Sequence, residues 1–424
     1  MSLNPEWLRR VTNWRDELPQ HFYRPLGVIA LSGFVTKEQL TAEQAQAVSF
    51  APMPAGTRWG AKWEYGWFKG AITLPAAAAG QRIALRADAG GESAVWINGR
   101  LVGAVDRQHT EITLALAGEA GAGYDILIEA YAGHGLRTAG KGPVGYGRAS
   151  VPEPPPSQVV VGETTFGVWN EPVYQLWLDV ETLLQTRNQL DPDSLRVAEI
   201  DAGLRDFTLI ADPELPPAEF LATVEQARAR LKPLLACVNG PTAPTLFAIG
   251  HSHIDVAWLW PLQETERKMA RTISTQLALM DEYPEFKFIQ SQPHLFWMLQ
   301  RRYPAKYAEV KAAIQAGKIV PEGGMWIEAD TNISGGEALI RQFVAGKRFF
   351  KQEFGVGNEL MWLPDVFGYS GAMPQIMKGC GIKYFATQKI FWTYNGGDQF
   401  PYNMFWWEGI DGTKVISYIH NDYN

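Results

Sequence analysis

Cysteine is nearly absent from this chain of 424 residues, which contains only Cys237 and Cys380. Two cysteines so far apart in sequence argue against a disulfide framework. They also argue against a metal site built from thiolates, so any bound metal would take imidazole or carboxylate ligands. A reducing compartment suits this pattern, and we expect a cytoplasmic location.

An excess of basic charge is also missing. The chain has 38 Lys and Arg against 45 Asp and Glu, a net charge of -7, which leaves no basic surface for nucleic acid or an anionic membrane. No window approaches the roughly 18 apolar residues of a membrane span, and no signal-peptide pattern opens the chain. We therefore expect a neutral or small partner, with neither nucleic acid nor membrane among the partners.

Aromatic residues are abundant, with 16 Trp and 15 Tyr. Aromatic faces with polar edges suit the apolar faces and hydroxyl edges of sugars. Most aromatic side chains in any protein are ordinary core residues, however. Composition alone therefore leaves the choice between core and sugar contacts open.

The first part of the chain has the pattern of a β-sandwich. From Trp63 onward, short apolar runs alternate with Gly and Pro at close spacing, at residues 65–74, 81–87, 93–103, 109–116 and 124–131. Asn98 and Gly99 predict a type I′ hairpin turn, because both turn positions need positive φ. Residues 174–180 also alternate and predict a strand that closes the sandwich. We expect a β-sandwich region at 1–190 that includes a leading helix and loop segment.

The period then becomes helical, and later alternates between strand and helix. Residues 191–240 predict bridging helices. In residues 241–424, strands are predicted at 286–290, 318–324, 359–363 and 383–387, and helices at 263–283, 293–315 and 336–354. Repeated strand–helix units indicate an α/β domain with a parallel barrel or a doubly wound sheet.

The first polar cluster follows the apolar run at 246–249, which predicts a strand buried on both faces. Parallel α/β sheets carry their chemistry at the carboxyl ends of the strands, where His251, His253 and Asp255 follow. Residues two apart in extended chain point to the same side, as His253 and Asp255 must in order to share a metal. The alternative is that they are ordinary polar residues closing a strand.

A second carboxylate follows another predicted strand of the same domain. Asp365 comes directly after the run at 359–363 and Pro364. Strand ends of one barrel converge on one face, so Asp365 is expected to meet His253 and Asp255, unless it only caps a helix or turn. One imidazole and two carboxylates suit zinc or another divalent cation with room left for substrate oxygens.

Two of these stretches resemble a known family. GHSHIDVAWLW at 250–260 and WLPDVFGYS at 362–370 resemble the signature stretches of glycoside hydrolase family 38, the retaining class II α-mannosidases. The resemblance extends over residues 245–419 and is to the cytosolic and bacterial branch. It implies a seven-stranded parallel βα barrel as the catalytic domain. WINGRLVG at 96–103 resembles the hairpin of jelly-roll, galactose-binding-like domains, which are often structural.

The resemblance implies a retaining α-mannosidase that hydrolyses terminal α-linked mannose through a covalent glycosyl-aspartate. It makes His253, Asp255 and Asp365 zinc ligands, and Asp365 also the nucleophile. Trp258 would stack beneath the mannose ring, and Phe367 would line the same subsite.

The general acid is harder to identify. In the family it is an Asp beyond the last hairpin strand, a position that only Asp422 fits here, while Glu328, Asp330 and Glu408 are reserve candidates. A later histidine completes the family's zinc site, and no residue of this chain matches it. We therefore expect an N-terminal portion of a longer enzyme, with the fourth metal ligand beyond Asn424, and we expect this portion by itself to retain zinc weakly and to have little or no activity.

Two other functions remain open from the sequence. A metal-dependent polysaccharide deacetylase also arranges His and Asp around a metal in a βα barrel, and a non-catalytic sugar-binding protein would suit the sandwich and the missing ligand. Cobalt or manganese in place of zinc, the linkage cleaved, the aglycone and a homo-oligomeric state are likewise open.

Overall fold

The computed structural model describes residues 3–135, 153–391 and 402–420. Within these ranges, a leading helix is followed by two facing antiparallel sheets, a group of long helices, and a region in which strands and helices alternate. No helix in the described part of the chain combines the length and the apolar character needed to cross a membrane.

The N-terminal region is the predicted sandwich. Its strands are β1 (Tyr23–Val28), β2 (Ser32–Thr36), β3 (Ala51–Pro52), β4 (Arg58–Trp59), β5 (Tyr65–Thr73), β6 (Ile83–Arg86), β7 (Glu92–Ile97), β8 (Arg100–Val105), β9 (Glu111–Ala115), β10 (Gly123–Tyr131), β11 (Val159–Val160) and β12 (Thr165–Trp169). One sheet has the order β1-β12-β6-β9 and the other β3-β2-β5-β10-β7-β8. Buried side chains from both sheets, including Phe68, Leu85, Ile128 and Phe166, form the core between them.

The hairpin between β7 and β8 confirms the predicted turn. Asn98 has φ 50° and Gly99 has φ 80°, so both turn residues adopt the positive φ that a type I′ turn requires. The Asn98 side chain also accepts a hydrogen bond from the backbone N–H of Asp125 on β10 at 2.8 Å. The turn is thereby tied to the neighbouring strand.

A helical bundle packs beside the sandwich. The first helices of the chain are α1 (Pro5–Glu17), α2 (Ala42–Gln46), α3 (Glu171–Gln189), α4 (Leu195–Ile210) and α5 (Pro217–Leu235). All except the short α2 share one hydrophobic core, whose fully buried side chains include Val11, Leu176, Phe207 and Leu231. This core therefore contains residues from both sides of position 190. The predicted boundary there, between the sandwich region 1–190 and the bridging helices 191–240, stays a prediction.

The strand predicted at 174–180 was wrong, because these residues lie inside α3. Their buried members belong to the series Val173, Leu176, Val180, Leu183 and Leu184, which repeats every three or four residues. A seven-residue window is too short to distinguish this period from strand alternation. Proline in the first turn, at position 172, is the helix-start signal that the alternation concealed.

The remaining elements form two small sheets with helices around them. The strands are β13 (Gly250–His251), β14 (Phe288–Gln290), β15 (Ile319–Pro321), β16 (Leu360–Trp362), β17 (Tyr384–Thr387), β18 (Met404–Glu408) and β19 (Lys414–Ile419). The helices are α6 (Leu262–Glu282), α7 (Pro293–Arg302), α8 (Pro304–Gln315), α9 (Gly336–Phe354) and α10 (Met373–Gly379). The predicted helix at 293–315 is thus two helices that meet at Tyr303, because Pro304 disfavours helical backbone in the residue before it.

In the α/β region, the described residues form two open sheets and do not form a closed barrel. One sheet is parallel with the order β13-β14-β15, and the other has the order β16-β17-β19-β18. In the second sheet β16, β17 and β19 are parallel, whereas β18 is antiparallel to β19. A mixed α/β region is therefore established, and a seven-stranded parallel barrel stays a proposal.

The apolar run before the first polar cluster is not the buried strand that we predicted. Strand β13 contains only Gly250 and His251, while Leu246 and Phe247 are 91% and 87% exposed. The physical reason is that β13 is an edge strand with β14 as its single neighbour in the described residues. An apolar sequence indicates burial only where neighbouring strands exist to cover it.

Helix α6 joins the sandwich to the α/β region. The outer face of the six-stranded sheet contributes Trp67, Trp96 and Leu127 to a hydrophobic cluster that also contains Met269 and Ile273 of α6. This packing holds α6 against the sandwich. The loop that carries His253 and Asp255 leads directly into α6, so these two residues lie beside the N-terminus of a helix that is held in place.

Candidate metal centre and active site

His253 and Asp255 lie on the loop between β13 and α6. Ile254, between them, is 5% exposed, and its carbonyl oxygen accepts a hydrogen bond from Gln292 Nε2 at 2.9 Å. At the next step of the loop, the carbonyl oxygen of Val256 accepts a hydrogen bond from Thr265 Oγ1 on α6. With Ile254 anchored, His253 and Asp255 both project to the opposite side of the extended backbone.

The structure brings His253, Asp255 and Asp365 together. His253 Nε2 lies 3.2 Å from Asp255 Oδ1 and 3.2 Å from Asp365 Oδ2. The three candidate ligand atoms all lie within 4.8 Å of one another. Asp365 arrives from the loop after β16, so the expected meeting of two strand ends occurs even though the described sheets remain separate.

Lys389 contacts the other oxygen of Asp365. Its Nζ atom lies 2.5 Å from Asp365 Oδ1, and its side chain is 5% exposed. Lys389 opens a single 3₁₀ turn, Lys389–Phe391, after β17. Our sequence reasoning missed this residue, although a lysine directly after a predicted strand of the same domain was a usable signal.

Glu328 contacts the ring nitrogen of His253 that faces away from Asp255 and Asp365. Its Oε2 atom lies 2.8 Å from His253 Nδ1, and its side chain is 6% exposed. The other oxygen, Oε1, accepts a hydrogen bond from Ser291 Oγ at 2.9 Å. The Nδ1 and Oε2 atoms are close but poorly aligned for a hydrogen bond, and both are buried with no other partner in the described residues.

Gln292 joins the loops that carry these groups. Its Nε2 donates to the carbonyl oxygen of Ile254 at 2.9 Å, and its Oε1 accepts from the backbone N–H of Glu328 at 3.3 Å. The residue is 3% exposed and has φ 64°, a left-handed conformation that disfavours a non-glycine residue. Such backbone strain is observed most often where a side chain must be held in one place, and sequence reasoning gave no sign of it.

The surrounding charges act strongly on His253. Burial by itself would lower the pKa of this imidazole, but its contacts with Asp255 and Glu328 outweigh burial and raise the pKa to about 10. Without a cation, His253 is therefore protonated at neutral pH. A cation that binds Nε2 would take the place of that proton, since only the neutral imidazole is a ligand.

The donor set fits a divalent cation. Ligand atoms about 2.1 Å from one tetrahedral zinc ion lie roughly 3.4 Å apart, close to the two 3.2 Å separations at His253 Nε2. The carboxylates of Asp255, Asp365 and Glu328 together with the ammonium group of Lys389 leave two negative charges beside a neutral imidazole. A divalent cation would neutralise this site, in which each charged side chain is at most 33% exposed.

A cavity of about 210 Å³ opens beside these groups. Its lining includes His253, Asp255, Glu328 and Asp365 together with apolar side chains. The volume is below the roughly 300 Å³ at which pockets for drug-sized ligands begin, so it suits a small ligand such as one sugar ring. Polar groups therefore converge on one side of a small cavity.

Trp258 and Phe367 are the two aromatic residues that the resemblance placed against the sugar. Their side chains are 62% and 66% exposed, and each directly follows a residue that lines the cavity, Ala257 or Val366. The Trp258 ring makes an edge contact with Trp260 at 5.9 Å between centroids. Both aromatic residues are thus accessible beside the cavity, and their roles stay predictions.

The candidates for the general acid lie in different places. Asp422 is outside the described residues. Asp330 accepts hydrogen bonds from the backbone N–H groups of Asn332 and Ile333 in its own loop. Glu408 forms an exposed ion pair with Lys414 at 3.0 Å. None of these contacts tests the assignment of the acid.

His251 contacts Trp362 and is not one of the three grouped candidate ligands. Its Nε2 accepts a hydrogen bond from Trp362 Nε1 at 3.1 Å, across the gap between the two sheets. Burial, followed by the nearby His253 and His420, lowers the pKa of His251 to about 4. His251 is therefore neutral, its Nε2 already accepts the hydrogen bond from Trp362, and the pair forms part of the interior contact between β13 and β16.

Two family models match the chain. The model described as glycosyl hydrolases family 38 N-terminal domain matches residues 243–424, and the model described as alpha-mannosidase, jelly roll domain, matches residues 26–149. The second match confirms the jelly-roll expectation for the sandwich. The first contains all three candidate metal ligands.

The chain is also similar to individual proteins. The chain is 36% identical over 392 residues to alpha-mannosidase 2C1 of Mus musculus and 36% identical over 393 residues to alpha-mannosidase 2C1 of Homo sapiens, and each match covers 92% of this chain. The chain spans only 36% of the length of each relative. A solved alpha-mannosidase from Enterococcus faecalis V583 is 26% identical with a TM-score of 0.35, over 40% of this chain and 19% of the other.

Proposed function

Since the chain belongs to glycosyl hydrolase family 38 through residues 243–424, we propose that it carries the catalytic centre of a retaining α-mannosidase. The observation on which this proposal depends is the convergence of His253, Asp255 and Asp365 beside one small cavity. The substrate would be a terminal α-linked mannose residue on an oligosaccharide or a small solute.

Asp365 is the proposed nucleophile. A retaining glycosidase uses one carboxylate to attack the anomeric carbon, forming a covalent glycosyl ester that water then hydrolyses. In support of this role, Asp365 is 20% exposed, lines the cavity and is held from two sides by His253 and Lys389. The Lys389 ammonium group contacts Oδ1 of Asp365, and Oδ2 faces His253.

His253, Asp255 and Asp365 would hold the metal, which we propose to be zinc. Bound there, the cation would bind and orient vicinal sugar hydroxyls and favour the distorted ring of the transition state. The imidazole nitrogen and carboxylate oxygens fit zinc, while cobalt and manganese remain compatible with the same donor set.

Trp258 and Phe367 would contact the sugar from outside the metal centre. An aromatic face beside the ring supports stacking, and it also interacts favourably with the positive charge that develops near the anomeric carbon. Asp422 is the proposed general acid that protonates the leaving oxygen. A closed seven-stranded barrel and a cytoplasmic location remain parts of the same proposal.

Covalent trapping tests this function directly. We would incubate the chain and excess zinc with a mannosyl fluoride that carries a second fluorine at C5, which slows both steps and keeps the C2 and C3 hydroxyls available. Mass mapping of peptides is expected to find one mannosyl label on Asp365, and the Asp365→Asn variant should acquire none. Because trapping needs only one event per chain, it also detects a very slow enzyme.

The possible outcomes separate the candidate functions. Label at another residue would refute Asp365 as the nucleophile. Acetate release from acetylated glycans, without mannosyl label, would identify a deacetylase. Zinc-dependent mannoside binding that survives Asp365→Asn, again without label, would identify a sugar-binding protein that performs no chemistry.

A further inference from the structure

We propose that Glu328 is a positioning residue that orients His253 for metal binding and holds the proton of the imidazole on Nδ1. This inference depends on the metal centre of the proposed function and extends it to a residue outside the ligand set. It also changes the interpretation of Glu328, which the sequence offered as a reserve general acid.

The two nitrogens of His253 face different partners. Nε2 faces the ligand oxygens of Asp255 and Asp365 at 3.2 Å, while Nδ1 faces Glu328 Oε2 at 2.8 Å. A metal-binding imidazole must leave its ligating nitrogen free of a proton, so the other nitrogen carries it. A carboxylate at that second nitrogen selects this tautomer and increases the basicity of the ligating nitrogen.

Glu328 is itself held in place. Ser291 Oγ donates to Oε1 at 2.9 Å, and the backbone N–H of Glu328 donates to Gln292 Oε1 at 3.3 Å. Gln292 in turn binds the carbonyl oxygen of Ile254, the residue next to His253. Gln292 therefore holds the two backbone segments that carry the carboxylate and the imidazole in place relative to each other.

The same contacts argue against a direct role in proton transfer to substrate. One oxygen of Glu328 is occupied by Ser291 and the other faces His253, and the side chain is 6% exposed. A general acid needs a proton within reach of the leaving oxygen. Glu328 instead has the arrangement of a carboxylate that acts through a metal ligand.

The alternative is that Glu328 only stabilises the loops. Three variants of the whole chain separate the two roles. Glu328→Gln preserves shape but removes the charge, and Ser291→Ala removes a loop contact without touching His253. The control is Asp330→Asn, which removes a charge from the same loop, where Asp330 binds only backbone N–H groups of that loop in the described residues.

The experiment measures zinc affinity by chelator competition and the geometry of the site from the visible spectrum of bound cobalt. Glu328→Gln is expected to weaken zinc binding by about tenfold, within the range for such partners of metal-bound histidines, and to shift the cobalt bands. Urea unfolding of each metal-free variant measures any loss of stability separately, and zinc affinity is compared only under conditions in which all variants are folded. Ser291→Ala should have a smaller effect on affinity, and Asp330→Asn none.

Wild-type affinity and an unshifted cobalt spectrum in Glu328→Gln would overturn the inference while leaving the metal centre intact. An equal loss of affinity in Glu328→Gln and Asp330→Asn would also overturn it, because the effect would then be general electrostatics. A wild-type chain that binds neither zinc nor cobalt would overturn the metal centre of the proposed function, and this inference with it.

Discussion

Removal of the Glu129 carboxylate is predicted to destabilise the junction between the sandwich and the α/β region. Glu129 on β10 pairs with Arg267 on α6, with Oε1 and Nε 2.7 Å apart and the two side chains 2% and 1% exposed. Burial alone would lower the pKa of Arg267, but Glu129 and its other neighbours outweigh burial and raise it. In Glu129→Gln the guanidinium group would remain charged and buried without its counterion.

The magnitude follows from what Arg267 retains. Loss of one member of a buried pair typically costs about 3–5 kcal/mol. Arg267 would still donate to Gln39 Oε1 at 2.5 Å and lie 4.2 Å from the centre of the Tyr65 ring. Those contacts place the expected loss near the lower end, at about 3 kcal/mol.

The assay is urea unfolding followed by tryptophan fluorescence. With a slope of about 3 kcal/mol per molar urea, a loss of about 3 kcal/mol lowers the midpoint by roughly 1 M. The control is Glu337→Gln in the pair with Arg341, whose side chains are 72% and 77% exposed and whose loss should cost under about 0.5 kcal/mol.

A double variant completes the test. Glu129→Gln with Arg267→Met removes both charges and should be more stable than Glu129→Gln alone, because no unpaired buried charge remains. Glu129→Gln that unfolds at the same urea concentration as the exposed control would refute the reasoning, since the buried pair would then have no more influence than a surface pair.

Three further substitutions have expected outcomes. Gly346→Ala should destabilise the chain by about 1–3 kcal/mol in urea unfolding, because the added Cβ in α9 would lie 2.5 Å from the carbonyl oxygen of Gly324. Alanine favours helix over glycine, so a stabilised variant would show that this steric contact is unimportant. Phe207→Ala in the bundle, at 0% exposure, should cost about 3–5 kcal/mol in the same assay, and a change below about 1 kcal/mol would show a poorly packed core. Trp258 is 62% exposed, so Trp258→Ala should change the free energy of unfolding by less than about 0.5 kcal/mol. The same variant should bind a mannoside more weakly in calorimetry, and unchanged binding would remove Trp258 from the proposed sugar site.

The features that sequence could predict are those set by local pattern. The turn at Asn98 and Gly99 needs only residues that tolerate positive φ, and the helix Gly336–Phe354 has the bounds predicted from its apolar period. The approach of Asp365 to His253 followed from a general rule, that the ends of parallel strands share one face.

The features that sequence missed depend on contacts between distant segments. The sequence around Glu328 does not indicate that its carboxylate faces His253, and the sequence around Lys389 does not indicate that its ammonium group contacts Asp365. The strained backbone of Gln292 makes sense only once the loops it joins are known. Leu246 is exposed because of the strand pairing around it, which its own apolar segment does not specify.

The most direct test of the central claim is a zinc titration of the metal-free chain by calorimetry, with His253→Ala and Asp365→Asn measured in parallel. We expect one zinc ion per wild-type chain and loss of that site in both variants, because the ligands come from two distant loops. Absence of zinc binding by the wild type, or binding in both variants with wild-type affinity, would contradict it.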